Sequence, residues 1–231
     1  MRIIRYSFII AFVGAIFGLS ACKKNNDVPT ASFFTSLNLI NASTDTVNFY
    51  LNGTRLNKNS NLYPAGASGY ISVPFGAQNY QVKKIFNPAN SIVQTLFSKS
   101  LTLDTAKAYS FFIAGETADD AFATTDVLSE PDTTDYKSFV RLVNASPGDG
   151  TFNLTIGDTL LFHDIAFKSS GDFTKIGSGP KSIKLYQSGS SNVIDTLILP
   201  MGSKAIYTIY VKGKAGGTGT SKLGMVSMSN N

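Results

Sequence analysis

The sequence predicts an all-β protein in which two tandem Greek-key β-sandwiches, of immunoglobulin-like or transthyretin-like type, follow a cleaved signal peptide. Three observations predict this class. The first 22 residues have the composition of an export signal, and one segment of the chain occurs twice. In both copies, apolar residues alternate with polar ones at every second position, as they do in a strand that buries one face.

The N-terminal segment, residues 1–21, is typical of a signal peptide. Arg2 and Arg5 supply a positive start, and an apolar run follows. That run, from Tyr6 to Ala21, has 16 residues, fewer than the roughly 20 that an uncleaved membrane-spanning helix needs. It ends in Leu-Ser-Ala-Cys, which resembles the bacterial lipobox, where the signal is cut before the cysteine and lipid is attached to its sulfur. We therefore expect Cys22 to be lipidated and the membrane to be a partner of the mature chain.

The internal repeat organises everything after this segment. Leu37 to Asp45 (LNLINASTD) returns as Val140 to Gly148 (VRLVNASPG), which sets an offset of 103 residues between Asn41 and Asn144. Near the end of each copy, KAYSFFIAG returns as AIYTIYVKG at an offset of 98 residues. Because loops vary in length and strands do not, a small drift of this kind indicates two copies of one domain.

The sequence of each copy predicts a series of short strands. In residues 47–51 and again in 152–156, apolar side chains alternate with polar ones. Asn52-Gly53 follows the first of these strands and Gly157-Asp158 the second, and both pairs favour a tight hairpin turn. About seven such strands in 100 residues are typical of a Greek-key sandwich.

The domain boundaries follow from the repeat and from the polar segments around it. We predict a signal peptide at 1–21, a tether at 22–32, a first sandwich at 33–130 and a second at 136–231. The segment between the sandwiches, EPDTTD, has the composition of a linker. We therefore expect the two copies to fold as separable domains.

The repeated residues also identify a family. The strand that ends in Asn-Ala-Ser, the Val/Phe-rich strand after it, and the Tyr-containing strand that runs into Gly resemble the family of domains of unknown function numbered 4397 (DUF4397). The resemblance covers nearly all of residues 36–229. It implies an extracytoplasmic lipoprotein of a Gram-negative bacterium, anchored at the outer membrane on its periplasmic or cell-surface side. The family brings no established activity and therefore no catalytic residue.

Composition excludes several function classes. Cys22 is the only cysteine, so the folded part has no disulfide. Without Arg2 and Arg5 the chain keeps 18 basic residues against 15 acidic ones, a net charge of +3 that does not indicate a nucleic-acid binder. His163 is the only histidine, and there is no G-x-S-x-G sequence to present a nucleophile. We expect no catalytic residue and no cofactor, although a hydrolase built on His163 or on an Asp pair stays open as a less favoured alternative.

Seven acidic residues and no basic ones lie between Glu116 and Asp135. Calcium prefers several carboxylate oxygens, so a cation site at the domain junction is one interpretation, although the spacing fits no EF-hand. The favoured interpretation of these acidic residues is a solvated hairpin and linker. The calcium candidates are Asp119, Asp120, Asp126, Asp132 and Asp135.

The function predicted from these features is non-enzymatic. We predict a lipid-anchored envelope protein with a binding, adhesive or scaffolding role, in which loops recognise envelope proteins or glycans. A glycan- or peptide-binding module of a nutrient-uptake complex is the alternative. Sugar stacking would need exposed aromatic side chains, but most of the tyrosines fall at alternate strand positions and are expected in the core.

Overall fold

The computed structural model describes residues 34–58, 60–87, 92–129 and 136–230, and it confirms an all-β fold. The described part of the first repeat contains eight strands: β1 (Phe34–Asn41), β2 (Val47–Leu51), β3 (Thr54–Arg55), β4 (Ala67–Pro74), β5 (Gly76–Asn87), β6 (Ile92–Leu103), β7 (Ala108–Ile113) and β8 (Ala121–Asp126). Residues 136–230, in the second repeat, contain eight more: β9 (Ser138–Asn144), β10 (Phe152–Ile156), β11 (Thr159–Ile165), β12 (Thr174–Ile176), β13 (Gly179–Gln187), β14 (Val193–Met201), β15 (Ile206–Lys212) and β16 (Gly224–Ser229). Within these ranges, no helix has the length and apolar character to cross a membrane.

Each repeat folds into two four-stranded sheets, which confirms the two β-sandwiches. In the first repeat the sheets have the orders β4-β1-β7-β8 and β3-β2-β5-β6, and in the second the orders β12-β9-β15-β16 and β11-β10-β13-β14. Strands β1 and β7 pair in parallel, as do β9 and β15, whereas the other neighbours are antiparallel. An immunoglobulin domain instead places its first, second, fifth and fourth strands in one sheet. The observed order therefore favours the transthyretin-like alternative.

The predicted hairpin turns form where the sequence places them. Asn52 and Gly53, both with positive φ (49° and 78°), connect β2 to β3, and only residues that tolerate this conformation suit such a turn. Val47, Phe49 and Leu51 of β2 point inward and are buried. The ring of Phe49 stacks on that of Tyr80 with 4.9 Å between centroids. Alternation along a strand thus supplies the core of each sandwich.

A third apolar cluster joins the two repeats, and the sequence did not predict it. Sheets β4-β1-β7-β8 and β12-β9-β15-β16 face each other across it. The rings of Phe112 and Tyr210, one from each repeat, lie 5.7 Å apart edge to face. The buried members of the cluster come from both repeats: Ile40, Ala42, Phe112, Ala114, Phe122, Val143, Ala145 and Tyr210.

This interface bears on whether the two repeats are separable. Strand β7 is buried at all six positions, because one face packs inside its own sandwich and the other against the second repeat. All the described residues fall in one compact unit of the chain. The expectation of separable domains treats the outer face of each sheet as solvated. A repeat expressed alone would instead expose this apolar face, so the structure favours joint folding.

Candidate functional site at the junction of the two repeats

The repeated Asn-Ala-Ser segment forms a fixed turn after β1. The Asn41 side chain is fully buried, and its Nδ2 donates hydrogen bonds to the carbonyl oxygens of Asp45 (2.7 Å) and Leu62 (2.8 Å). Its Oδ1 accepts from the backbone N–H (3.1 Å) and the hydroxyl (2.7 Å) of Ser43. Every hydrogen-bonding direction of the amide is therefore used by neighbouring protein groups, so the Asn41 side chain has a structural role.

The equivalent turn after β9 is built in the same way. Nδ2 of buried Asn144 donates to the carbonyl oxygens of Gly150 (3.1 Å) and Ile165 (3.0 Å), and its Oδ1 accepts from the backbone N–H of Ser146 (2.9 Å). The Ser146 hydroxyl then donates to the carbonyl oxygen of Gly213 at 2.7 Å, in the loop between β15 and β16. The two turns are thus rigid, and the second is tied to a neighbouring loop.

These turns meet at one end of the interface and enclose a half-open cleft of about 390 Å³, which we call the junction cleft. The turns after β1 and β9 supply part of the lining, and the loops after β7 and β15 supply the rest, so equivalent segments of both repeats contribute. The lining residues are Ala42, Ser43, Thr44, Ala114, Gly115, Glu116, Pro147, Gly213, Lys214, Thr220 and Ser221.

The walls of the junction cleft combine opposite charges with hydroxyl groups. Glu116, on the first repeat, has a 62% exposed side chain whose Oε1 lies 3.5 Å from Nζ of Lys84. Nζ of Lys84 also lies 2.8 Å from a carboxylate oxygen of Asp45, and this hydrogen bond, aided by the charges of Asp45 and Glu116, raises the pKa of Lys84. Lys214 on the second repeat is an exposed cation, and the Thr220 hydroxyl reaches the Thr44 carbonyl oxygen (3.5 Å) across the junction. The cleft can therefore offer charged and neutral hydrogen-bonding groups to one ligand.

Below the cleft, a buried ion pair crosses the interface. The Arg141 guanidinium of the second repeat pairs with the Asp126 carboxylate of the first, and their side chains are 2% and 0% exposed. Nη1 of Arg141 donates to the Thr125 carbonyl oxygen (2.8 Å), and its Nε donates to the Thr208 hydroxyl (3.0 Å). Its Cζ lies over the Phe173 ring, 4.6 Å from the ring centroid. The guanidinium is therefore satisfied from both repeats, as a buried charge requires.

Asp126 is satisfied just as completely. The hydroxyls of Tyr70 and Ser110 each donate to its Oδ2 at 2.6 Å. Burial of Tyr70 and the adjacent negative charge of Asp126 raise the pKa of the tyrosine well above its usual value. The carboxylate thus has the role of a structural anion in the interface.

The calcium candidates have different positions. Asp119 and Asp120 lie in a short 3-10 helix, where the Thr117 hydroxyl donates to Oδ2 of Asp120 at 2.7 Å. Asp126 faces Arg141. Within the described ranges, no three His, Cys, Asp or Glu side chains are grouped so that they could hold a metal ion. Asp132, Asp135 and Cys22, the residue at which lipidation is expected, lie outside the described residues.

His163 lies on β11 with a 76% exposed side chain. Its Nδ1 is 3.6 Å from a carboxylate oxygen of its sequence neighbour Asp164, and His163 does not line the junction cleft. The aromatic residues divide more evenly than expected. Tyr80 and Tyr210 are buried, but Tyr63 and Phe75 are 61% and 45% exposed.

Sequence reasoning missed the junction cleft and the role of Arg141, although a signal was present. Along Ala108–Ile113 (AYSFFI) and in the strand that contains Val143, apolar residues occupy both strand faces. A run of this kind indicates a strand that is covered on both sides. In such a strand, a lone arginine is expected to have a buried partner.

Comparisons with known proteins give a family and no activity. The C-terminal domain of AlgF from P. aeruginosa is similar over 41% of this chain and 98% of that domain, at 23% identity and a TM-score of 0.32. CBMbc (family CBM26) of Eubacterium rectale Amy13K, in complex with maltoheptaose, is similar over 83% of this chain and 96% of that one, at 10% identity and a TM-score of 0.23. No curated protein matches the chain.

The family model for the domain of unknown function DUF4397 matches twice, at residues 35–137 and at 138–231. The two matches cover most of the chain and confirm the resemblance that the Asn-Ala-Ser repeat suggested. The chain therefore belongs to the DUF4397 family and carries that domain in two tandem copies.

Proposed function

We propose that the mature chain is a non-enzymatic binding protein, held at the bacterial outer membrane by lipid on Cys22, and that it takes its ligand in the junction cleft. One observation carries this proposal: equivalent loops of both repeats converge on a single cleft of about 390 Å³. A cleft of this size, with a few placed polar groups on a rigid sheet scaffold, is the usual form of a small-molecule site.

The rigidity of the walls supports the proposal. Asn41 and Asn144 fix the two turns through buried amide hydrogen bonds, and Ser146 ties the second turn to the carbonyl oxygen of Gly213. Walls that are ordered before the ligand arrives lose little conformational entropy on binding. Loops used only as connections would not need to be held in this way.

The chemistry of the walls favours a polar ligand. Glu116 and Lys214 present opposite charges from the two repeats, and Thr44 and Thr220 add hydroxyl groups. Small residues of the cleft wall, Ala42 and Pro147 among them, leave room for the apolar part of a ligand to contact the wall. A short glycan or a peptide end fits this set, as either would present hydrogen-bond donors and acceptors together with some apolar surface.

The test is a glycan and peptide binding screen on the mature lipidated chain in detergent, followed by matched variants. Thr44→Tyr would fill the cleft and Lys214→Gln would remove its cation, so each should weaken the binding of any screened probe at least ~10-fold. Thr159→Tyr and Lys184→Gln, on the second repeat away from the cleft, are the controls and should leave binding unchanged. A probe that binds wild type and both cleft variants equally would contradict the proposed site.

Anchoring is tested separately. Cys22→Ser should abolish metabolic labelling by a radioactive fatty acid and release the protein from membranes, because it removes the sulfur that would carry the lipid and stable anchoring needs more than one acyl chain. Undiminished labelling of the variant would contradict a lipid on Cys22 whatever the binding screen shows.

A further inference from the structure

Exposed apolar side chains are grouped at the end of the molecule opposite the junction cleft. We call this the anchor end, because β1 starts there and the chain before β1 leads back to Cys22. Phe34 is 55% exposed, Phe75 is 45% exposed and Tyr136 is 72% exposed. Val127 and Leu128, which follow β8, are 38% and 36% exposed. A group of exposed apolar side chains at one end of a protein marks a surface that contacts another molecule or a membrane.

The strand register places these residues at the same end of both repeats. Phe34, at the start of β1, pairs with Pro74, at the end of β4, and Phe75 is the next residue. Tyr136 precedes β9, and its carbonyl oxygen accepts a hydrogen bond from the Ser203 hydroxyl, in the loop before β15. Because the opposite ends of both repeats meet at the junction cleft, these ends lie together on the far side.

The covalent connection to Cys22 limits what this end can reach. Phe34 follows Cys22 by 12 residues, which span at most about 40 Å when fully extended. A lipid on Cys22 would therefore hold the anchor end beside the bilayer, where even a weak attraction is effective because the local concentration is high.

The chemistry of the anchor end suits the boundary between headgroups and acyl chains. Tyrosine and tryptophan are enriched at that depth, and phenylalanine is among the apolar residues that proteins bury at the membrane interface. Lys107, Lys137, Lys175 and Lys204 lie at the same end, and the ring of Tyr136 lies 5.3 Å from Nζ of Lys204. The sequence between Ser129 and Tyr136 adds three acids, so the net charge is small. The aromatic side chains therefore carry the attraction, and an anionic lipid is not required.

We infer that the anchor end docks on the lipid bilayer, with Phe34, Phe75 and Tyr136 at headgroup depth, so that the junction cleft opens away from the membrane. This inference rests on the lipid anchor of the proposed function. A bilayer is the occupant because the tether delivers this face to it. Docking would also hold the cleft at one height and orientation above the surface.

The chain contains no tryptophan, so a single introduced tryptophan is a unique fluorescent reporter. The full lipidated chain is prepared as Phe34→Trp, as Tyr136→Trp and, for the control, as Tyr63→Trp. Tyr63 is 61% exposed and lies beside the turn after β1, at the cleft end. Each replacement exchanges one exposed aromatic side chain for another, so the fold should be kept. Each variant is reconstituted into phosphatidylcholine vesicles with and without lipids brominated near the headgroup.

Emission of Phe34→Trp and Tyr136→Trp should fall about twofold with brominated lipid, because bromine quenches only residues at the interface depth where aromatic side chains reside. Emission of Tyr63→Trp should not change. Equal quenching of all three variants, or of none, in protein that floats with the vesicles would overturn the docking. Protein that fails to float would instead overturn the lipid anchor, and so separates that failure from a failure to dock.

Discussion

The two repeats place different polar side chains at equivalent positions of their shared interface. Arg141 of the second repeat corresponds to Asn38 of the first, because both lie three residues before the asparagine of the Asn-Ala-Ser turn. Asp126 lies opposite the first residue of β7, and Asn230 lies opposite the first residue of β15. The charged pair Arg141–Asp126 therefore has an uncharged counterpart, Asn38 and Asn230.

The two positions also differ in how well their polar atoms are satisfied. Arg141 and Asp126 have protein partners on every side. By contrast, Oδ1 of Asn38 and Nδ2 of Asn230 are buried and lack a hydrogen-bond partner among the described residues. Nδ2 of Asn38 reaches only the sulfur of Met228, at 3.9 Å. The second repeat thus supplies the cation, and the first repeat supplies the anion with its two hydroxyl donors.

This asymmetry explains why the two similar domains of one chain pair with each other. If two first repeats paired, Asp126 would be buried without a cation, and if two second repeats paired, Arg141 would be buried without an anion. An unpaired buried charge costs several kcal/mol, whereas the mixed pairing leaves none. Divergence at these two positions therefore favours the pairing of first with second repeat over the pairing of like repeats from separate chains.

The largest effect is expected for Arg141→Met, which keeps much of the side-chain volume but leaves the Asp126 charge unpaired. We expect the free energy of unfolding of the mature chain to fall by about 3–5 kcal/mol, as when one partner of a buried ion pair is removed. Denaturant unfolding at neutral pH measures this. Lys184→Met, at a half-buried cation on the outer face of the other sheet, is the control and should change stability by about 0.5 kcal/mol or less.

A double variant tests whether the unpaired charge explains the stability lost in Arg141→Met. Adding Asp126→Leu to Arg141→Met removes the stranded charge and should recover most of the loss, because an apolar pair often replaces a buried ion pair without cost. A double variant no more stable than Arg141→Met alone would show that packing, and not the unpaired charge, explains the single variant.

A smaller effect is expected for Tyr70→Phe, which deletes one of the hydroxyl donors to Asp126. Loss of a hydrogen bond to a charged group should lower the free energy of unfolding by about 1.5–3 kcal/mol at neutral pH. Because the pKa of Tyr70 is raised in the folded state, by burial and by Asp126, its contribution is complete below pH ~10 and is lost as the pH rises further. The gap between wild type and variant should therefore narrow above pH ~10, by up to about 1.4 kcal/mol per pH unit. A gap that stays constant from pH 8 to 11 would contradict this role.

The smallest effect is expected at the uncharged counterpart. Asn38→Met makes the same change in residue type as Arg141→Met, at the equivalent position of the other repeat, but removes a polar group that is incompletely paired. Stability should change by about 1 kcal/mol or less, and a gain is compatible with the structure. If Asn38→Met were as damaging as Arg141→Met, the contrast between the two positions would be wrong.

Local features of this chain could be predicted from sequence, and the interface could not. The hairpin at Asn52-Gly53 and the Asn41 turn depend on neighbours within the same repeat, so their pattern is visible in a short window. The outer face of β7 is buried because a sheet of the second repeat packs against it. That packing depends on contacts between side chains more than 90 residues apart, such as Phe112 and Tyr210. The cleft follows from that packing, so it was missed together with the interface.

The central claim is that the two repeats form one cooperative body with the cleft at their junction. Hydrogen exchange of the mature chain at increasing denaturant, followed by mass spectrometry, measures the protection of backbone amides in each repeat separately. We expect peptides from β5 of the first repeat and from β13 of the second to become exchangeable at the same denaturant concentration, through one shared opening. Core peptides of one repeat that exchange freely while those of the other stay protected would contradict it.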